Sequence, residues 1–106
     1  DRYVADKRET AACYAEFFKG KEDITFFTEP ADCKSNYWLN AVVLKDKAAQ
    51  LDFLEYTNDH GVMTRPVWEL MNRLPMFEHC ETDGLENTEW LADRVVNIPS
   101  SVRLDK

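Results

Sequence analysis

Tyr37-Trp38-Leu39-Asn40-Ala41-Val42-Val43-Leu44 is the stretch whose reading decides the fold. It is rich in aromatic and β-branched residues, which favour extended backbone. Alternation places Tyr37, Leu39, Ala41 and Val43 on one face and Trp38, Asn40, Val42 and Leu44 on the other. Both sets are largely apolar, so the strand is predicted to be central and covered on both sides. Lys45-Asp46-Lys47 ends the run, and Asp46 is suited to cap a helix over 47–59. Ala48, Leu51, Leu54 and Tyr56 supply the expected buried side of that helix, and Gly61 its C′ residue.

Upstream, Val4, Ala11, Tyr14, Ala15 and Phe18 share a stripe at helical spacing, predicting a helix over 1–19 with Gly20 beyond its end. Lys7, Arg8, Glu9 and Glu16 fall mostly on its solvent side. Residues 23–28 read as a short strand stopped before Pro30. Downstream, 62–65 are extended up to Pro66, which removes a backbone donor. Residues 67–80 are predicted to hold a short irregular helix. Asp83 and Glu86 have capping-box spacing before another helix, and 94–98 (RVVNI) form a last strand stopped by Pro99. The resulting class is α+β, with helices packed on a small mixed or antiparallel sheet in a single domain over 1–106.

The 106 residues carry 13 Lys and Arg against 20 Asp and Glu, a formal charge of −7. Such a surface repels polyanions, so no nucleic acid is expected as partner. The longest apolar run is too short to span a bilayer, so no membrane is expected either. The three cysteines, Cys13, Cys33 and Cys80, are an odd number at wide spacing. This suits reduced thiols in a cytoplasmic protein rather than a disulfide framework. Cys80, His79 and His60 lack metal-ligand spacing, so no metal is expected. The chain opens on Asp1-Arg2-Tyr3-Val4, already inside a helical pattern. That leads us to expect a domain excised from a longer polypeptide.

No phosphate loop, zinc motif or nucleophile elbow is present, and no catalytic residue is expected in this chain. Gly61-Val62-Met63-Thr64-Arg65-Pro66-Val67-Trp68 is chemically richer: it sets a hydroxyl, a guanidinium and an indole at the end of an extended segment. Arg65 suits bidentate contact with phosphate and Trp68 an aromatic wall, while ion pairing of Arg65 and core packing of Trp68 are the plainer alternative. Asn36-Tyr37-Trp38 carries the same ambiguity.

Several blocks in order carry a family resemblance. Asn36-Tyr37-Trp38-Leu39-Asn40 resembles the N-Y-W-L-N strand of sugar aminotransferases of the DegT/StrS type. It is followed at the family's interval by Gly61 to Pro66, by Leu70-Met71-Asn72-Arg73-Leu74-Pro75-Met76, and by a tail running from Asn87 to Ser101. The likeness is strongest to the branch, related to perosamine synthetase, that aminates nucleotide-linked 4-keto-6-deoxy sugars for legionaminic-acid-type surface polysaccharides. It implies a fold-type I enzyme dependent on pyridoxal 5′-phosphate (PLP), working as a cytoplasmic homodimer with glutamate as amino donor. This chain would be its C-terminal small domain, the PLP-binding large domain being absent. The resemblance implies that Thr64, Arg65, Trp68, Asn36 and Tyr37 bind the nucleotide sugar. No lysine here (7, 19, 21, 34, 45, 47, 106) lies in the family's cofactor motif, so the chain is expected to bind no PLP and to be inactive alone. Two other readings stand beside this one: a free-standing α+β module binding a small ligand between Arg65 and Trp68, and a small enzyme using His79 and Cys80.

Overall fold

The computed structural model describes residues 1–103. The expected order of elements is found: α1 (Arg2–Phe18), β1 (Ile24–Phe26), β2 (Asn40–Leu44), α2 (Lys47–Asp59), β3 (Arg65–Pro66), a 3₁₀ turn (Met71–Arg73), α3 (Glu86–Ala92) and β4 (Val95–Ile98). The four strands form one sheet in the order β1-β2-β4-β3, with every pairing antiparallel. The class is α+β.

The apolar stretch read first does become the centre of the sheet, as β2 lies between β1 and β4. Its covering is one-sided. Phe26, Val42 and Val96 are register partners, and with Leu44 and Ile98 they form the buried face. Ala11 of α1 is buried with it, and Tyr14, Ala15 and Phe18 of α1 and Ala49, Phe53 and Leu54 of α2 pack against that cluster. Ala41 and Val43 point to the other face and are only half-buried. The strand is also shorter than predicted. Ser35 Oγ accepts the Tyr37 N–H and Asn36 Oδ1 accepts the Trp38 N–H, each at 2.9 Å. These local bonds draw the backbone out of the ladder and leave Tyr37 at φ 47°, a left-handed conformation uncommon outside glycine.

Asp46 caps α2 as expected, its Oδ1 accepting the Ala49 N–H at 2.8 Å. The buried side of α2 is not the one the apolar residues indicate. Ala48, Leu51 and Tyr56 are exposed, while Ala49, Gln50, Phe53, Leu54 and Thr57 turn inward. Gln50 is wholly buried because its amide donates to Ala92 O (2.9 Å) and Val95 O (3.0 Å), serving the chain between α3 and β4. A polar side chain with both bonds satisfied inside outcompetes a leucine that has nothing to cover.

Two other expectations change. The predicted helix over 67–80 reduces to the 3₁₀ turn at Met71–Arg73, because Leu70 and Leu74 are extended (ψ 137° and 133°). Leu74 precedes Pro75, which disfavours helical backbone there. The capping box at Asp83 and Glu86 is replaced by a turn in which Asp83 Oδ1 accepts the Leu85 N–H at 3.0 Å, with Leu85 itself left-handed at φ 56°. In α1, Val4 is exposed, whereas Asp6 and Thr10 are buried beneath the tail: Arg103 donates its N–H to Asp6 Oδ2 at 2.9 Å.

The molecule exposes more surface than its mass predicts. Its accessible area is 7928 Å², against about 6,100 Å² for a folded monomer of this size. Its radius of gyration is 15.5 Å, against about 13 Å. Tyr3, Phe17, Phe27, Met63, Met71, Met76 and Trp90 all lie open to solvent.

Candidate functional site

The turn after α2 builds one side of the site. Gly61, at φ 79°, reverses the chain so that the Val62 N–H donates back to Thr57 O at 2.8 Å. Thr64 is thereby pressed against the helix end and is only 2% exposed. Its Oγ1 lies 2.7 Å from Thr57 Oγ1 and accepts from Asn58 Nδ2 at 3.1 Å. The neighbouring Arg65 is exposed and donates from one guanidinium nitrogen to Asn58 Oδ1 (3.2 Å) and Thr64 O (2.8 Å). Arg65 and Pro66 pair with Asn97 and Val96 at the sheet edge. Proline is tolerated on such an edge because no partner needs its missing N–H.

The loop before β2 builds the other side. Asn36 is exposed and Tyr37 half-buried, its hydroxyl accepting the Glu29 N–H at 2.9 Å. Trp38 and Trp68 lie nearly parallel, ring centroids 6.5 Å apart and planes 25° apart. They are 65% and 69% exposed, so the pair is a surface feature and neither indole is core. The structure therefore brings the Asn36–Trp38 and Thr64–Trp68 segments together through their tryptophans. Stacked indoles offer a π face to a planar ring, and the exposed guanidinium of Arg65, three residues before Trp68, carries charge-assisted donors for an anion.

Two residues of α1 that the sequence pattern sent to solvent belong to this region. Arg8 makes a bidentate ion pair with Glu29, Nη2 to Oε1 at 2.7 Å and Nη1 to Oε2 at 2.9 Å. Nη1 also donates to Ser35 O at 2.6 Å, and the Ser35 N–H donates to Glu29 Oε2 at 2.6 Å. The guanidinium carbon stands 5.6 Å from the Tyr37 ring centre. Hydrogen bonds from Arg8 and from the Ser35 backbone hold the Glu29 carboxyl down at about 2, and the bond to Glu29 raises Arg8. Lys7 Nζ donates to Trp38 O (3.2 Å) and Ser100 O (2.6 Å). Helical periodicity marks faces, not long-range partners, so no signal in the sequence singled these residues out.

PLP is held through a Schiff-base lysine and an acidic or basic partner for its ring nitrogen. Lys7 is bound to two carbonyls, Lys47 Nζ donates to Gln50 Oε1 at 3.0 Å, and Lys21 lies over the Phe17 ring. Four surface grooves, those lined by Tyr14 and Phe17, by Met71 and Phe77, by Lys19 and Ile24, and by Tyr56 and His60, each lack a lysine paired with a carboxylate. The described residues do not fit that cofactor, and no step through it is derived from them. No group of three or more potential metal ligands clusters among the described residues, and no helix there is long and apolar enough to cross a membrane.

The chain is similar in fold to several solved enzymes. It superimposes on DesV of S. venezuelae, crystallised with a ketimine intermediate, with a TM-score of 0.84 at 17% identity, covering 98% of this chain and 28% of that one. For PseC of Helicobacter pylori, an aminotransferase of pseudoaminic acid biosynthesis, the TM-score is 0.81 at 17% identity, covering 96% and 29%. For the sugar aminotransferase CalS13 of Micromonospora echinospora it is 0.75 at 24% identity, covering 92% and 26%. The chain thus spans between a quarter and a third of the length of these structures. No curated protein matches it. The family model of the DegT/DnrJ/EryC1/StrS aminotransferases matches residues 1–106, the whole chain, and the protein belongs to that family.

Proposed function

We propose that this chain is the C-terminal small domain of a PLP-dependent sugar aminotransferase. In this reading the enzyme moves an amino group from glutamate to a nucleotide-linked 4-keto-6-deoxy sugar for bacterial surface polysaccharide, as a cytoplasmic homodimer. The observation that carries it is the surface stack of Trp38 on Trp68, the latter three residues along the chain from the exposed Arg65. This is the equipment for a substrate joining a planar base to phosphates, and it lies in a chain belonging throughout to an aminotransferase family. Arg65, Trp68 and Asn36 reach the substrate, and Thr64 and Tyr37 shape the ends of the two segments that present them. The cofactor lysine and its ring partners belong to the large domain, which leaves this domain inactive alone. The excess of exposed apolar surface favours such a partner domain over a free-standing module.

The test is Arg65→Ala in the full-length enzyme. The expected result is a KM for the nucleotide sugar raised about tenfold, the weight of one charge-assisted contact. The cofactor's visible absorption spectrum should be unchanged. Unaltered kinetics with every nucleotide sugar tried would remove Arg65, and the site built on it, from the reading.

A further inference from the structure

The stacked tryptophans raise a physical question. Two indoles that are two-thirds exposed gain little from burial, so their parallel arrangement must come from the backbone that carries them. Trp68 follows β3, which is paired to β4. Trp38 sits in an irregular loop that leaves the ladder after β1 and re-enters it only at Asn40. What holds that loop is α1. Consecutive residues Lys7 and Arg8 reach it at two levels: Arg8 grips Glu29 and Ser35, and Lys7 grips the carbonyl of Trp38.

The bonds form a closed circuit. Arg8 donates to the Glu29 carboxylate and to Ser35 O, and the Ser35 N–H returns to the same carboxylate. Ser35 Oγ accepts the Tyr37 N–H, and the Tyr37 hydroxyl accepts the Glu29 N–H. Tyr37 is thereby held in its left-handed conformation, which is strained and persists only where the surroundings over-determine it. One residue later Lys7 fixes the Trp38 carbonyl and ties it to Ser100, just beyond β4. The loop is thus referenced to the same strand that carries β3 and, through it, Trp68.

We propose that Lys7 and Arg8 are positioning residues for the nucleotide-sugar site, setting the loop so that Trp38 meets Trp68 at stacking distance. They act through Glu29, Ser35 and the Trp38 backbone and do not touch substrate. This inference rests on the proposed function.

The experiment uses the full-length enzyme and calorimetric titration with UDP, dTDP and GDP as probes. Arg8→Gln should weaken the tightest of the three about tenfold, since misplacing a binding group by an ångström is enough for such a loss. Arg8→Lys, which keeps the charge and loses the fork, should lie between Arg8→Gln and wild type. Trp38→Leu should weaken binding about as much as Arg8→Gln, and the double variant should be no weaker than Trp38→Leu alone, because both act through one ring. A second readout needs no ligand: trypsin should cut after Lys34 several times faster in Arg8→Gln, a larger change than the drop in its urea midpoint accounts for. If Arg8→Gln does not fold, Glu29→Gln replaces it with the same expectations. Binding that is lost in Trp38→Leu but normal in Arg8→Gln overturns the positioning role and leaves the proposed function standing. Additive losses in the double variant, or an unchanged rate of cutting at Lys34, also overturn it. No binding of any probe to the wild type removes the site, and the proposed function falls with it.

Discussion

Two irregular stretches approach the tryptophan pair, residues 27–39 from one side and residues 67–85 from the other, and they are held by opposite means. The first is bound to distant parts of the chain: Arg8 and Lys7 on α1, and Ala41, whose carbonyl accepts the Phe27 N–H at 2.9 Å. The second is held largely by its own neighbours. Leu74, Phe77 and Cys80 each donate an N–H to the carbonyl three residues back, and Asp83 and Thr82 make two-residue turns. Its ion pair, Arg73 to Glu69 at 3.5 Å, is exposed. Met71, Met76 and Phe77 lie in the open, and no residue from 67 to 85 is buried. Long-range bonds hold a loop's shape whatever surrounds it; local turns do so only weakly and leave such a segment among the least stable parts of a fold.

The largest effect expected from this contrast is between two phenylalanines. Phe26→Ala empties the centre of the buried face and should cost about 3–5 kcal/mol by urea unfolding. Phe77→Ala should cost markedly less, because over a third of that residue already faces solvent and none of its neighbours from 67 to 85 is buried. Equal costs would break the comparison. Gln50→Ala comes next, at about 2 kcal/mol, because it takes the side-chain donor from the partly buried carbonyls of Ala92 and Val95. A near-neutral result would mean that water reaches those carbonyls.

The clasp on the first stretch should also show in the pH dependence of stability. The Glu29 carboxyl is lowered from 4.5 to about 2 in the folded chain by Arg8 and the Ser35 backbone. A depressed carboxyl contributes fully above its unfolded value, so stability from this pair should be present above about pH 4.5 and fade as pH falls towards 2. Glu29→Gln should flatten unfolding curves over that window, and a parallel curve would show that the pair contributes nothing. The smallest effect belongs to the second stretch: Arg73→Ala should change stability by under about 0.5 kcal/mol, the usual weight of an exposed pair.

The contrast also explains which features were legible beforehand. Val42, Leu44, Val96 and Ile98 announce their strands through β-branched and aliphatic composition, and Asp46, Gly20 and Gly61 mark helix ends through local chemistry that needs no partner. Position 50 could not be read, since glutamine is ordinarily a surface residue and only the distant carbonyls of Ala92 and Val95 make it core. Residues 67–80 misled because Leu70, Met71 and Leu74 have helix-like spacing, yet a short helix needs something to pack on before its nucleation cost is offset. For the candidate site, both segments were visible as clusters of unusual chemistry. Their meeting at Trp38 and Trp68, and the part Lys7 and Arg8 take in it, are properties of the assembled fold.

The register of β2 against β4 has a consequence for how the chain reaches that fold. Asn40 faces Ile98 across the middle of the sheet, about 58 residues away along the chain. Closing so long a loop carries an entropic cost that no local contact offsets in advance, and sheets dominated by such pairings form slowly. During synthesis β1 and β2 can form only a hairpin, with Val42 and Leu44 uncovered along the β4 side, until Val95–Ile98 leave the ribosome. The interval before that strand arrives is when the nascent chain is most open to wrong pairings, and a holdase bound at β2 would protect it there.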